Sequence, residues 1–215
     1  MDAVLDNLPL YWQGFRTTLT LTLLSAVFAL ILGTILGAFR VSPIPTLRAF
    51  GLAYVELVRN TPLTAVFFFA VFVMPRLGVV LDFYVTAVVA LSVYTAAFVC
   101  EAVRSGVNSV GVGQAEAARS IGLTFTQTLR SVILPQAFRT VIPPLINIFI
   151  ALTKNSSIAG AFFVGELFNV GRRLANDRGD AVLWVLAGVA VFYLFITIPA
   201  GLLAGYVERK VAFAR

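Results

Sequence analysis

From Thr17 to Phe39 the chain carries no charged side chain. A helix over this run is longer than the ~20 residues needed to cross the hydrocarbon core of a bilayer. Phe83 to Cys100, between Asp82 and Glu101, and Ala181 to Val207 repeat the pattern. Asn60 to Pro75 is a shorter version, led in by an amphipathic stretch from Leu47 to Val58. A fifth run, Thr140 to Thr153, is interrupted by Lys154, Asn155, Ser156 and Ser157 and resumes from Ile158 to Val164. Five crossings leave little of 215 residues for a domain in water, and the composition agrees: 60% hydrophobic and 12% charged, against roughly 45–50% and about 25% in soluble domains. The expectation is an all-α membrane protein forming a single transmembrane domain, residues 1–215, with five transmembrane helices, the fourth broken.

The aromatic group Tyr11, Trp12 and Phe15 is of the kind that anchors at a membrane interface. Asp2 and Asp6 stand where a leader peptide has basic residues, which argues against a cleaved leader,. Net charge is +6, but the basic residues punctuate apolar runs instead of forming a patch, so membrane orientation explains them better than a nucleic-acid partner. With the amino terminus outside and the carboxyl terminus inside, the inner segments hold ten of the 16 basic residues, Arg40, Arg48, Arg59, Arg104, Arg119, Arg130, Arg139, Arg209, Lys210 and Arg215. The 104–139 stretch is then a cytoplasmic loop. There is no His, and the lone Cys100 lies inside an apolar run. Zinc motifs, a His-based triad and a disulfide framework are therefore excluded. Glycines one turn apart, Gly33 with Gly37 and Gly201 with Gly205, mark two places where another helix could approach closely.

The loop is the informative segment. Gln114 to Ile121 is helix-prone, with small Ala115 and Ala118 on one side, a Glu116–Arg119 pair at i, i+3, and Gly122 as a left-handed terminator. Thr124-Phe125-Thr126-Gln127 reads as a capping box opening a second short helix. A helix resting on lipid wants bulky apolar residues on its buried side. Ala115 and Ala118 bury too little for that, and docking in a groove of a partner protein fits better.

Glu116-Ala117-Ala118, Gly122 and Ile133-Leu134-Pro135 resemble the EAA loop of permease subunits of bacterial ABC importers. Gly113-Gln114 before it, Pro135-Gln136-Ala137 after it, Arg59-Asn60-Thr61-Pro62-Leu63 and Leu152-Thr153-Lys154-Asn155-Ser156-Ser157 resemble the polar amino-acid uptake family, and together span roughly Gly14 to Arg209. The resemblance implies a type I ABC importer permease fold in the bacterial cytoplasmic membrane, with the 104–139 loop as coupling helix. The implied partners are a second permease subunit, paralogue or self, a dimer of ATP-binding subunits and an extracytoplasmic solute-binding protein. Gln114, Glu116, Ala117, Ala118, Arg119 and Gly122 would transmit closure of the ATPase. ATP and Mg would sit on that partner, with no cofactor on this chain. Neither Lys154 nor Lys210 ends a phosphate-binding loop,, so the chain is expected to be a transporter subunit and not an enzyme.

The break at Lys154 is the second site. Non-helical backbone and charge at membrane depth are tolerated where they face protein or a water-filled cavity, and broken helices commonly form transporter substrate sites. Pro143 and Pro144 loosen the same helix, and Asn147 lies two turns before Lys154 on nearly the same face. Asn147, Lys154, Asn155, Ser156 and Ser157 are thus candidate substrate residues; equally, Lys154 could snorkel and the serines cap the following half-helix. Relatives that resemble cationic amino-acid importers carry acids next to both Asn147 and Lys154, where this chain has Ile148 and Asn155. The motifs look most like actinobacterial glutamate permeases, which implies glutamate as substrate, with glutamine, aspartate or a cationic amino acid as alternatives. A passive channel would not need a docking loop, and an intramembrane enzyme would need a nucleophile or metal set that is missing. Glu101 and Arg104 read as a structural i, i+3 pair; Glu166 could line an outer gate or face water.

Overall fold

The computed structural model describes residues 2–212, which are helical throughout apart from short connections. After one turn, α1 (Asp2–Leu5), the first crossing is α2 (Leu8–Val41), 34 residues long. It starts well before Thr17, because Pro9 sits in the first turn, where a missing amide costs nothing,. Tyr11 is therefore inside the bundle and not an interface anchor. It is completely buried, donates to the Val185 carbonyl at 3.0 Å and stacks on Phe192 at 5.5 Å. Trp12 beside it is half exposed and stacks on Phe15 at 5.2 Å.

The second crossing is bent. Helices α3 (Pro45–Arg59) and α4 (Leu63–Phe68), the latter continued by a π turn and a 3-10 turn to Leu77, meet at 99° across Asn60–Pro62. Pro62 enforces the corner by excluding the preceding residue from helical geometry. Helix α5 (Phe83–Asn108), opened by Asp82 accepting from the Tyr84 amide at 2.8 Å, is the most enclosed element. It packs along α2, and the glycine pair predicted for close approach serves this contact. A Cβ at Gly33 would lie 2.5 Å from Val99 and one at Gly37 2.8 Å from Val103. At Gly201 and Gly205 a Cβ would meet no described residue of this chain within 4 Å, so no helix of this chain uses that pair.

Helices α6 (Val112–Ser120) and α7 (Phe125–Thr128) form the loop hairpin, and a π turn, Leu129–Ile133, joins it to α8 (Leu134–Asn155). The expected break at Lys154 is a change of helix type, not an unwound segment. Pro143 and Pro144 lie inside a continuous helix, which passes at Ser156 into a 3-10 helix and ends at Phe162. Phe163, at φ +70°, turns the chain away. The short α9 (Leu167–Asp177) follows, then α10 (Val182–Ala212). Four helical stretches are long and apolar enough to cross a membrane, and the bent pair makes up to five. One apolar cluster joins Leu21, Phe67, Leu91, Leu152 and Phe162; a second joins Tyr11, Leu167, Val185 and Phe192; a third sets Leu36 and Val55 against Ala97 and the wholly buried Cys100.

Candidate functional site: a docking hairpin, a polar stripe and a buried carboxylate

The hairpin turns as its residues require. Gly122 takes φ +87°; its amide donates to the Arg119 carbonyl at 3.0 Å and the Leu123 amide to the Ala118 carbonyl at 3.2 Å. This paired termination satisfies the last free carbonyls of α6. Two residues on, the capping box closes. Thr124 Oγ1 accepts from the Gln127 amide at 3.3 Å and Gln127 Oε1 accepts from the Thr124 amide at 2.9 Å. The sharp corner is thus fixed locally and needs no partner to hold its shape.

Of the predicted coupling residues, Gln114, Glu116, Ala117, Arg119 and Gly122 are exposed. Ala118 is not; it is 5% exposed and packs back against its own chain, so its small size serves the hairpin's seat and not the outer face. The Glu116–Arg119 pair does not form among the described residues, which leaves both charges free. Sequence reasoning missed the apolar part of this surface. Val112, Ile121 and Phe125 are 73%, 79% and 78% exposed, enough apolar area to be covered by a neighbour. Their spacing around Gly122, on two different helices, gave no single periodic signal. Behind this face α6 contacts the π turn that begins α8, and π turns inside helices frequently sit at functional places.

Along α8, Asn147, Ala151 and Lys154 recur on one exposed side, continuing a line from Gln136, Thr140 and Pro144. The seven-residue interval between Asn147 and Lys154 superimposes them two turns apart. Asn155 is half-buried at the edge of the stripe. The serines are committed elsewhere: Ser156 is fully buried and donates to the Thr153 carbonyl at 2.8 Å, and Ser157 donates to the Lys154 carbonyl at 2.7 Å. Around Lys154 the stripe therefore offers one cation and the Asn147 amide, with Asn155 beside them. No acid occurs anywhere on α8.

Glu166 neither faces water nor lines a gate. It is 0% exposed and caps α9, accepting from the Phe168 amide at 2.9 Å, the Asn169 amide at 2.7 Å, the Tyr193 hydroxyl at 2.8 Å and, more weakly, Thr18 Oγ1 at 3.4 Å. Burial pushes the carboxyl above its ordinary value while these donors oppose that rise,. Asn169 in turn donates to the Gly160 carbonyl at 2.8 Å. The 3-10 end of the α8 segment is thus tied through Asn169 and Glu166 to α2 and α10. A glutamate following glycine before an apolar turn is a cap signal, but its remaining donors lie 148 and 27 residues away.

Glu101 and Arg104 form the expected pair at 2.9 Å, and the structure enlarges it. Arg40 approaches the same carboxylate at 3.3 Å and Arg59 at 3.9 Å. Arg59 also lies 5.5 Å over the Phe98 ring, so the second-crossing motif is clamped to α5 by charge and by cation–π attraction.

Against known proteins, 43% of residues are identical to the glutamate transport system permease protein GluC of Corynebacterium efficiens, over 95% of this chain and 93% of that one. The figure is 39% for the probable glutamine ABC transporter permease protein GlnM of Bacillus subtilis, over 98% and 97%. The crystal structure of an amino acid ABC transporter with histidines superimposes with a TM-score of 0.89 at 28% identity, covering 96% of both chains. The family described as binding-protein-dependent transport system inner membrane component matches residues 11–213, and the chain belongs to it.

Proposed function

We propose that this chain is the membrane-spanning subunit of an ATP-driven importer for a polar amino acid, glutamate first, working by alternating access. The observation that carries the substrate is the uncovered stripe of α8, where Lys154 and Asn147 stand without a neighbouring acid. A cation at membrane depth is expensive unless it serves a polar path, and Lys154 suits the side-chain carboxylate of the solute. The permeases similar to it, named for glutamate and for glutamine, and the glutamate/aspartate permease GltJ of Escherichia coli at 32% identity over 93% of this chain, support an acidic or amide side chain.

The energy enters at the hairpin. An ATP-binding subunit, carrying ATP and Mg, would cover Val112, Ile121 and Phe125 and pair with Glu116 and Arg119. Movement of α6 is then passed through the π turn to α8 and to the stripe. A second permease subunit would close the other side of the path, and a solute-binding protein would deliver at the outer face. In this arrangement the amino terminus is outside and the hairpin lies in the cytoplasm of a bacterium.

Uptake of labelled glutamate into proteoliposomes containing the complete transporter tests this. Lys154→Gln should lower glutamate uptake about tenfold, the scale of one charge-assisted hydrogen bond, and leave glutamine uptake far less affected. Equal loss of both would remove Lys154 from the substrate's carboxylate, and wild-type uptake of arginine at the glutamate rate would overturn the acidic substrate.

A further inference from the structure

Where α2 ends, α3 begins and α5 ends, a recess of about 400 Å³ is lined by Arg40, Arg48 and Arg104 with Asn108, Pro45 and the apolar Ala49 and Leu52. No acid lines it. Two carboxylates lie near it: Glu101 faces Arg40, Arg59 and Arg104 together, and Glu56 shares a neighbouring recess with Arg59. Two negative charges against Arg40, Arg59, Arg104 and Arg48, the last exposed and without an ion pair among the described residues, leave a surplus of two. Arg40 is the most enclosed of them, its side chain 12% exposed and its stem crossing Gly51 of α3. Its Nη1 lies near Glu101 Oε1 by distance but makes no hydrogen bond and is buried. Glu101 thus engages Arg40 on its covered side, and the arginines that line the recess present guanidinium groups suited to the oxygens of a phosphate,.

We propose that this recess binds the phosphate head group of an anionic phospholipid. Depth supports the choice: Arg40 follows directly on the uncharged run of α2, and Arg104 lies one turn beyond the uncharged run of α5, so both sit at the head-group layer. The lining supports it too, because arginines share the recess with Ala49 and Leu52, while Ile44, Phe50 and Leu52 along α3 are 50%, 58% and 46% exposed. An amphipathic helix with such a face lies in the interface beside acyl chains. Basic pockets between spanning helices at the cytoplasmic face are the sites that hold phosphate head groups. Ile44 gives α3 no side-chain cap, so the first-turn amides add a partial positive charge at the rim. The leaflet named here rests on the orientation proposed above; the head-group chemistry does not.

The test uses the complete transporter in nanodiscs whose two leaflets are identical, so that an error of orientation leaves the result unchanged. Discs contain phosphatidylcholine with or without phosphatidylglycerol, and lipid retained after detergent extraction is read by native mass spectrometry. Phosphatidylglycerol should be retained selectively, Arg48→Gln should lower retention about fivefold, the factor expected from removing one basic residue near an anionic surface, and Arg48→Lys should restore it. Arg209→Gln, the same charge change on exposed α10, should retain lipid as wild type does. Equal loss in Arg209→Gln would reduce the effect to net charge and overturn the site. Displacement by inorganic phosphate alone would assign the recess to a small anion, and a complete transporter that retains phosphatidylglycerol no better than phosphatidylcholine would leave the recess without a lipid. Either result overturns the lipid.

Discussion

The two ends of the α8 segment are built to opposite specifications. At the 3-10 end, the Glu166 carboxylate takes four donors in a completely buried setting and Asn169 fixes the Gly160 carbonyl. At the other end a hairpin held only by its own caps presents Val112, Ile121 and Phe125 to whatever lies outside. One end is anchored by the chain itself, and the other, on the function proposed above, is the end a partner would move. A helix anchored at one end and driven at the other would turn about the anchor, and the stripe bearing Asn147 and Lys154 lies between the two. Damage at the anchor should therefore appear as lost stability, and damage at the hairpin as lost transport in a chain that folds normally.

Glu166→Ala is the strongest way to break this contrast. It strips the cap from α9 and leaves Tyr193 and two amides without their acceptor, a loss of about 3 kcal/mol or more. Thermal unfolding of the purified chain should fall well below wild type. An unchanged transition would show that the buried carboxylate anchors nothing.

Gly122→Val comes next, because a β-branched side chain at φ +87° is strained by roughly 1–2 kcal/mol. Membrane insertion and the unfolding transition of the spanning core should be near normal while uptake collapses. Normal uptake would remove the corner from the coupling path. Ile121→Ser should change stability least, since the side chain is 79% exposed. Its effect should be confined to co-purification with the ATP-binding subunit and to uptake. Full binding by this variant would place the docking surface elsewhere on the hairpin.

What the sequence revealed divides along the same line. The crossings were readable because absence of charge is a property of each run by itself, and the hairpin because Gly122 and the Thr124–Gln127 box act within three residues of one another. Tyr11 and Glu166 were misread because their surroundings come from distant segments. Tyr11 meets Val185 and Phe192, and Glu166 collects donors from α2, α9 and α10. The break expected at Lys154 was misplaced for a related reason. Polar residues at membrane depth suggest unwinding, but Ser156 and Ser157 return their hydroxyls to carbonyls one turn back and keep the backbone helical.

The buried thiol of Cys100 has a practical consequence. It is the chain's one cysteine and is shielded from solvent, so the natural protein is already close to a cysteine-free background. A single reactive cysteine introduced at a surface position such as Arg130 would take a spin or fluorescent label without competition from this chain's own thiol. Hairpin displacement could then be timed against nucleotide turnover in an otherwise unaltered transporter.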